Sequence, residues 1–458
     1  MYVCKHCHQT SLEYKGQCPN TSKCGRWNCL EEKDPSEVIA AETEEQEDAS
    51  RAKPITEIAS VVDRRFSSGI AEADRVFGFS GGVAGIVFPS LVLMAGDPGI
   101  GKSTVLLQMG ANVARDVGPV LYATGEESTS ALSARAERLG HKHDRLHVMA
   151  TNHLEHIDAE VKRLRPRLLI VDSTQTMGRM DISGEPGSIT QVRGLPLYLG
   201  PLARTKGQEM AVIIVGHVTK DGSAAGPKTL EHLVDATLYF EGEKGRTLRL
   251  LRSAKNRFNN TQDVGVLEMS EHGLIDVVSP SAHFLAQRRA DEPGTVVTSV
   301  CSGTNSRRAI LVELQVLIGT TELPKMDVNT SGLDKARVVM MGAVLGRKAD
   351  VQMPSAALYA QTMGGMGVDE RAADLAIAVA IASATRGQSV HSDLVIFGEV
   401  GFMGELRDTT QAQVRLKEAA MMGFKRALVP SFKSLEPVDG IELVRAETLA
   451  QAVDFALV

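Results

Sequence analysis

The feature that most constrains the fold is a glycine-rich stretch that reads Gly96, Asp97, Pro98, Gly99, Ile100, Gly101, Lys102, Ser103 and Thr104. It fits the pattern Gly, any four residues, Gly, Lys, Ser or Thr. In such a loop the backbone N–H groups surround phosphate oxygens, the lysine reaches the β- and γ-phosphates, and the serine hydroxyl binds Mg²⁺. An apolar run at 91–95 precedes the loop and a helical pattern at 105–114 follows it, so the phosphates would lie at a helix N-terminus. The stretch predicts a site for a nucleoside triphosphate, with ATP and Mg²⁺ as cofactors and hydrolysis as the reaction.

The rest of the chain alternates between apolar strands and helical segments, which favours an α/β fold with a mostly parallel sheet covered on both faces. The predicted strands of the region 56–275 are 91–95, 120–124, 168–171, 210–215, 236–240 and 248–251. An acidic segment with few large apolar residues, 31–55, reads as a solvated linker. A second break, rich in Ser and Pro, spans 276–292, and the alternation resumes over 293–458.

Charge and cysteine usage narrow the class of protein. The formal net charge of -6 excludes a uniformly basic nucleic-acid coat protein but not a local basic groove. We find no basic-then-apolar signal segment at the start and no apolar run near the roughly 20 residues of a membrane span. Five of the six cysteines lie within the first 29 residues, a clustering more typical of metal binding than of disulfides. We therefore expect a cytoplasmic protein with no membrane partner.

The cysteine cluster contains a CxxC pair and a second, more widely spaced pair. Two separated pairs suit tetrahedral thiolate coordination of zinc, as in a zinc ribbon. A unit this small cannot fold on its apolar core alone, so a metal contributing ~10–16 kcal/mol would be its main support. Cys29 and His6 are alternative ligands. The predicted zinc ligands are Cys4, Cys7, Cys18 and Cys24.

Three polar residues follow strands and complete a candidate ATPase site. Asp172 ends an apolar strand about 70 residues after the loop. P-loop enzymes have at this position the aspartate that holds the ligand shell of Mg²⁺. Glu126 follows the strand 120–124 and is expected to orient or deprotonate the attacking water, with Glu127 as the alternative. His217 follows another strand and would sense the γ-phosphate, unless it is a hydrogen-bonded core histidine.

Two polar loops also follow strands of the predicted sheet, where open α/β folds bind their ligands. One spans 183–188 and the other 219–228. Lysine and arginine in such loops would contact the phosphodiester backbone in a salt-dependent way, although ordinary solvent loops have the same composition. The predicted DNA-binding residues are Gln191, Arg193, Lys220 and Lys228.

Together these features resemble the bacterial DNA-repair family RadA, also called Sms. The resemblance covers nearly the whole chain and is carried by the cysteine cluster with Trp27-Asn28, the loop 96–104, Gly125-Glu126-Glu127-Ser128 and Lys255-Asn256-Arg257-Phe258. The last motif is the most specific to the family. Two departures are Asn259, where the family usually has Gly, and Gly194, where it tends to have Glu.

The resemblance implies a RecA-like P-loop ATPase core with an N-terminal zinc ribbon and a C-terminal Lon-protease-like α/β domain. It implies a homo-hexameric ring of the DnaB helicase type, ATP-driven movement on single-stranded DNA, branch migration of branched recombination intermediates, and cooperation with the RecA recombinase. In such rings the nucleotide lies between subunits, so Lys255 and Arg257 would act near the neighbour's nucleotide or on DNA. The predicted domains are a zinc ribbon at 1–30, an acidic linker at 31–55, a RecA-like ATPase domain at 56–275, a second linker at 276–292 and a Lon-protease-like domain at 293–458.

The C-terminal region resembles the Lon protease domain without its reactive groups. Ala372 occupies the position of the nucleophile and Gln413 that of the catalytic lysine. With neither a hydroxyl nor an amine there is no activated nucleophile, so peptidase activity is not expected. The expected function is a DNA-stimulated hexameric motor in recombinational repair. The alternatives are an ATP-dependent protease and a regulatory RecA-fold oligomer that does not act on DNA.

Overall fold

The computed structural model forms two compact units, Met1–Val62 and Asp63–Val458. It describes residues 2–6, 10–11, 14–18, 24–32, 54–57, 63–217, 227–242, 246–258, 263–301, 308–320, 327–352, 356–431 and 435–458. Among the helices of these ranges, none is long and apolar enough to cross a membrane.

The N-terminal unit contains a small antiparallel sheet in the order β2-β1-β3. Its strands are β1 Tyr2–Cys4, β2 Thr10–Ser11 and β3 Leu30–Glu32, and a short 3-10 turn, Ile55–Glu57, follows. Because β3 pairs with β1 as far as Glu32, the ribbon extends two residues into the segment that the sequence assigned to the acidic linker. Residues 33–53 of that linker lie outside the described residues.

The large unit begins with four short strands and a nine-stranded sheet. The short strands are β4 Arg65–Phe66, β5 Phe79–Ser80, β6 Val83–Ala84 and β7 Ile86–Val87. The sheet strands are β8 Ser90–Gly96, β9 Val120–Thr124, β10 Leu146–Ala150, β11 Leu168–Asp172, β12 Ala211–His217, β13 Ala236–Glu241, β14 Leu248–Asn256, β15 Val264–Ser270 and β16 Gly273–Asp276.

The sheet order is β10-β9-β11-β12-β8-β13-β14-β15-β16. The first six strands are parallel to their neighbours, and the last three add an antiparallel meander. Every residue of β8 is buried, as expected for a parallel strand covered on both faces. The register places His217 beside Gly96 and Asp172 beside Thr124, so the carboxyl ends of these strands meet along one edge.

Helices cover both faces of this sheet, and each face has its own apolar core. They are α1 Ala71–Phe77, α2 Lys102–Asp116, α3 Thr129–Arg138, α4 Leu154–Leu164, α5 Ile189–Ala203 and the single turn α6 Pro227–Leu230. The Ser128 and Ser188 side chains cap α3 and α5 by accepting backbone N–H groups, which fixes where these helices begin.

The second half of the large unit is a seven-stranded mixed sheet in the order β19-β20-β18-β17-β21-β24-β25. The strands are β17 Thr295–Cys301, β18 Ala309–Thr320, β19 Asp327–Ser331, β20 Ala356–Thr362, β21 Leu394–Ile396, β22 Glu399–Val400, β23 Leu406–Arg407, β24 Arg426–Pro430 and β25 Glu442–Ala446, of which β22 and β23 form a separate hairpin. The helices are α7 Pro280–Leu285, α8 Lys335–Lys348, α9 Asp374–Arg386, α10 Ala412–Met421 and α11 Leu449–Ala456, with 3-10 turns at Met363–Gly365 and Arg371–Ala373.

The segment 276–292, predicted as a linker, carries helix α7. Phe284 of this helix is buried in a core that also contains residues of β14, β15 and the seven-stranded sheet. The Arg308 guanidinium lies 2.8 Å from the buried Glu72 carboxylate of α1, which adds an ion pair between the two halves. Since one apolar core spans both sheets, residues 63–458 form a single compact unit.

Candidate functional site

The loop between β8 and α2 has the backbone of a phosphate cradle. Gly99 and Gly101 have φ of 76° and 111°, a region that L side chains rarely adopt. A Cβ at Gly96 would meet the Phe240 carbonyl oxygen at 2.3 Å, so only glycine fits against β13. The first N–H groups of α2 have no partner within the helix and are open to an anion.

Lys102 lies inside this loop. Its Nζ donates to the carbonyl oxygens of Gly96 at 2.7 Å and Asp97 at 2.9 Å, and it lies 3.2 Å from His217 Nδ1. Burial lowers the pKa of Lys102, while the carboxylates of Asp172 and Glu126 act in the opposite direction. A bound phosphate would add further negative charge close to the buried ammonium.

Asp172 is buried at the end of β11 and fits the predicted Mg²⁺ site. Its Oδ2 accepts a hydrogen bond of 2.7 Å from the Tyr122 hydroxyl, whereas Oδ1 is buried and has no hydrogen-bond partner within the described ranges. Burial raises the pKa of Asp172, although the hydrogen bonds from Tyr122 and Ser103 act to lower it. An unpartnered carboxylate oxygen beside the Ser103 hydroxyl is the oxygen donor set that Mg²⁺ prefers.

The structure brings Glu126 into the site and turns Glu127 away from it. Glu126 Oε1 accepts hydrogen bonds from the Ser173 hydroxyl and, at 2.9 Å, from His217 Nε2. Glu127 instead pairs with Arg135 of α3 at 2.9 Å. Burial raises the pKa of Glu126, but the hydrogen bonds from Ser173 and His217 together with the nearby Lys102 ammonium outweigh it, so the net shift is downward. Glu126 is therefore an ionised carboxylate at neutral pH.

His217 bridges the phosphate-binding lysine and this carboxylate. The Lys102 ammonium is only a donor and the Glu126 carboxylate only an acceptor, so chemistry assigns the neutral tautomer with the proton on Nε2. A ligand that displaces Lys102 would change the hydrogen bonding of His217 and, through it, of Glu126. This geometry suits the sensor role predicted for His217.

Lys255 and Arg257 lie away from the edge that carries the phosphate-binding loop, Lys255 level with the middle of β8 and Arg257 near its amino end. Lys255 pairs with Thr237, which is level with Leu93 and thus three residues before Gly96. The Lys255 Nζ donates to the carbonyl oxygens of Glu231 and Val234 at 2.6 and 2.9 Å. The exposed Arg257 pairs with the buried Asp235 at 3.3 Å. Neither cation contacts the phosphate cradle of its own subunit.

The predicted DNA-binding residues divide into two groups. Arg193 and Lys228 are exposed. Gln191 is corrected, because its side chain is buried and its amide Nε2 donates to the carbonyl oxygens of Arg179, Ile182 and Gly184. The Gln191 amide stabilises the loop that precedes α5 and is not exposed for contact with DNA. Lys220 lies outside the described residues.

The N-terminal cysteines form a group that fits zinc. The thiols of Cys4, Cys18, Cys24 and Cys29 all lie within 4.8 Å of one another. Cys4 Sγ is 3.4 Å from Cys29 Sγ and 3.7 Å from Cys24 Sγ, close to the ~3.8 Å edge of a tetrahedron with Zn–S bonds of about 2.3 Å. Cys29, given from sequence as an alternative ligand, therefore completes the group. Cys7 lies outside the described residues.

Sequence reasoning missed three residues of the ATPase site. Tyr122 contacts Asp172, Ser173 contacts Glu126, and Arg249 Nε donates to the Ile100 carbonyl oxygen at 2.8 Å. No local motif marks the tyrosine or the arginine. Ser173 does carry a signal, because it directly follows the carboxylate that ends β11.

The region compared with Lon contains a buried ion pair. Arg415 is fully buried; its guanidinium donates to both Glu370 oxygens and to the carbonyl oxygens of Ser299 and Thr410. Ala372 is buried just after Glu370, and Gln413 lies half-buried at the start of α10. These positions provide no hydroxyl nucleophile or amine base.

Two family models match parts of the chain. A family model described as "AAA domain" matches residues 84–223, and one described as "Subunit ChlI of Mg-chelatase" matches 369–433. Among solved structures, a KaiC-like protein from Pyrococcus horikoshii OT3 is 19% identical with a TM-score of 0.38, and the match covers 47% of this chain and 99% of that chain.

Relatives match over the full length. The chain is 39% identical to DNA repair protein RadA of Bacillus subtilis (strain 168), covering 100% of this chain and 98% of the relative. It is 40% identical to DNA repair protein RadA of Pseudomonas aeruginosa (strain PAO1), covering 99% and 98%. These matches and the P-loop sheet confirm the predicted α/β fold with a RecA-like core. The chain belongs to the DNA repair protein RadA family.

Proposed function

We propose that this chain is a DNA repair ATPase that works as a homo-hexameric ring. Hydrolysis at the loop 96–104 would drive movement along single-stranded DNA and branch migration of branched recombination intermediates, in cooperation with the RecA recombinase. The observation that carries the proposal is the polarity of the subunit: the Lys102 ammonium lies at the carboxyl end of β8, whereas Lys255 lies level with the middle of β8 and its ammonium reaches the segment that precedes β13.

The polarity supports a site completed across subunits. The three residues between the level of Lys255 and Gly96 correspond to about 10 Å along β8, and the Lys255 side chain turns further away, toward Glu231. A cation so placed is remote from its own nucleotide but would face a neighbour's in a head-to-tail ring. A lysine or arginine supplied in trans stabilises the charge of the phosphoryl-transfer transition state. Hydrolysis would thereby depend on how the subunits are arranged.

Each remaining residue has a role in this proposal. Ser103 and Asp172 would hold Mg²⁺, which neutralises developing charge on the phosphates when it is bound. Glu126 would orient the attacking water, and His217 would report phosphate occupancy. Arg193, Lys220 and Lys228 would contact DNA. Zinc held by the cysteine group would stabilise the ribbon, and the C-terminal half would act as a ring scaffold without peptidase activity.

The test is steady-state ATP hydrolysis by the full chain, with and without single-stranded DNA. We expect DNA to raise the rate of hydrolysis. Lys102→Ala should abolish hydrolysis, because that substitution removes the phosphate-binding ammonium. Lys255→Ala should leave the fold and nucleotide binding intact while removing stimulation by DNA. The matched control Lys228→Ala should weaken DNA binding and reduce the dependence of that binding on salt concentration, because one fewer phosphate is neutralised, while keeping stimulation at saturating DNA.

The alternatives predict other results. Hydrolysis indifferent to DNA in the wild-type chain would contradict the motor and support a regulatory oligomer. Cleavage of an unfolded protein substrate would support an ATP-dependent protease. Full DNA stimulation and strand movement by Lys255→Ala would exclude the proposed role in trans.

A further inference from the structure

Arg249 is a buried arginine in direct contact with the phosphate-binding loop. It lies on β14, outside the loop and outside every motif of the sequence, and the residue is 9% exposed. Its Nε donates to the Ile100 carbonyl oxygen at 2.8 Å, and its Nη1 donates to those of Arg246 and Leu248 at 2.6 and 2.7 Å. The guanidinium therefore connects the loop to the turn that precedes β14.

We propose that Arg249 is a positioning residue that orients the Ile100–Gly101 peptide so that its N–H points into the phosphate cradle. The inference rests on the proposed ATP site. Because a trans peptide is planar, its carbonyl and its N–H point in opposite directions. Holding the Ile100 oxygen against β14 therefore turns the Gly101 N–H away from β14, toward the side where the phosphates would bind.

Two features suit this role. Gly101 has φ of 111°, so the chain reverses direction immediately after the fixed peptide and leads into α2. Gly242 lies beside the arginine, and a Cβ there would approach Arg249 Cδ at 2.8 Å. The absence of a side chain at Gly242 leaves the space that the guanidinium occupies.

Nucleotide binding would affect the hydrogen bonds of Arg249 and Lys102 differently. Lys102 occupies the Gly96 and Asp97 carbonyl oxygens and must leave them to reach a phosphate. Arg249 contacts the loop through the Ile100 carbonyl oxygen instead, and its other hydrogen bonds also go to backbone oxygens. It would hold the peptide in the same orientation before and after nucleotide binding, so the cradle would be preorganised.

The test measures binding of a fluorescent ADP, N-methylanthraniloyl-ADP with Mg²⁺, to the full chain and to Arg249→Gln. We expect the Kd to rise about tenfold or more, because a charged donor to the loop is lost. In steady-state hydrolysis KM for ATP should rise while kcat changes much less, since the Gly101 N–H binds substrate and transition state alike. The matched control Arg252→Gln removes an arginine of the same strand that pairs with the partly exposed Glu241, and should change the Kd by less than about twofold.

Two further variants separate positioning from charge and from folding. Arg249→Lys keeps the charge but not the Nε–H, and should bind the probe nearly as weakly as Arg249→Gln. Gly242→Ala keeps the arginine, but its Cβ would press on Arg249 and on the Leu248 carbonyl oxygen that the guanidinium binds, so it should also weaken binding. It replaces Arg249→Gln in the test if that variant fails to fold. Urea unfolding identifies the conditions under which each variant is fully folded.

The outcomes are distinct. A wild-type chain that does not bind the probe contradicts the proposed function itself. Wild-type affinity in folded Arg249→Gln and Gly242→Ala overturns the positioning role alone, and wild-type affinity in Arg249→Lys reduces it to a charge effect. A fall in kcat at unchanged KM would place Arg249 in the chemical step and would also overturn the inference.

Discussion

Two sites of the large unit, one in each half, contain buried charged groups in opposite arrangements. At the edge of the nine-stranded sheet, Asp172 keeps one buried carboxylate oxygen without a hydrogen-bond partner within the described ranges, and Lys102 is held only by neutral groups. In the C-terminal half, Glu370 and Arg415 pair through two hydrogen bonds of 2.8 and 2.5 Å. The first arrangement leaves bonding capacity for a ligand, whereas the second is satisfied within the protein.

Whether a buried charged group has its partner within the protein distinguishes a ligand-binding site from a structural one. A buried carboxylate oxygen with no partner is destabilising unless a ligand or metal satisfies it, so its presence favours a binding role. A buried ion pair with both partners in place is costly to break and offers nothing to a substrate. The comparison therefore predicts that substitutions in the first region change activity, while those in the second change stability.

The largest expected effect is that of Glu126→Gln. Removing the carboxylate should lower kcat for ATP hydrolysis by about 10²–10⁴-fold, the usual contribution of such a group, while binding of fluorescent ADP stays intact. Glu127→Gln is the matched control, because Glu127 pairs with Arg135 and lies outside the hydrogen-bond chain. Equal losses in the two variants would show that the structure assigns the wrong carboxylate.

Glu370→Ala should affect stability instead. Leaving Arg415 buried without its partner should lower the free energy of unfolding by roughly 3–5 kcal/mol, measured in urea, with hydrolysis per folded molecule unchanged. The double variant Glu370→Leu with Arg415→Met should recover much of the loss, because it removes both charges. A stable Glu370→Ala chain with impaired hydrolysis would break the comparison.

Tyr122→Phe tests the support of the Mg²⁺ site. Loss of the hydroxyl that holds Asp172 Oδ2 should raise the Mg²⁺ concentration for half-maximal hydrolysis about tenfold, as for other residues that orient a metal ligand. The matched control is Tyr239→Phe, whose hydroxyl contacts Glu231 away from the metal site. An unchanged Mg²⁺ requirement in Tyr122→Phe would mean that Asp172 needs no such support.

The sequence allowed the elements with local signals to be predicted. The loop 96–104 and the strands ending at Thr124 and Asp172 follow from a motif and from continuous apolar runs, because a strand covered on both faces needs apolar residues throughout. Glu126 was chosen over Glu127 from sequence, and the structure brings that residue to the site.

Residues that act through the packing of distant segments could not be predicted. Arg249 reaches Ile100 only because β14 packs beside β13 and the loop, a consequence of sheet order rather than of spacing. Gln191 carries an amide suited to DNA, but local loop carbonyls satisfy it first. The helix at 280–285 was hidden because its flanking prolines and serines resemble a linker, while Phe284 is recruited by a core shared between two sheets.

The smallest expected effect concerns pH and probes the Ser173 hydroxyl. Burial raises the pKa of Glu126, but the hydrogen bonds from Ser173 and His217 hold it below the ordinary value of 4.5. If the ionised carboxylate is the active form, hydrolysis falls only when pH drops below that range. Ser173→Ala removes one of these hydrogen bonds, so the pKa of Glu126 should rise. The acid limb of the kcat–pH profile should then move to higher pH, with little change at neutral pH.

The control variant is Ser130→Ala, because the Ser130 hydroxyl contacts Ser128 at the start of α3 and not Glu126; this variant should leave the profile in place. Superimposable profiles of wild type and Ser173→Ala would show that this hydroxyl does not keep Glu126 ionised, and the site would then depend on His217 and Lys102 alone.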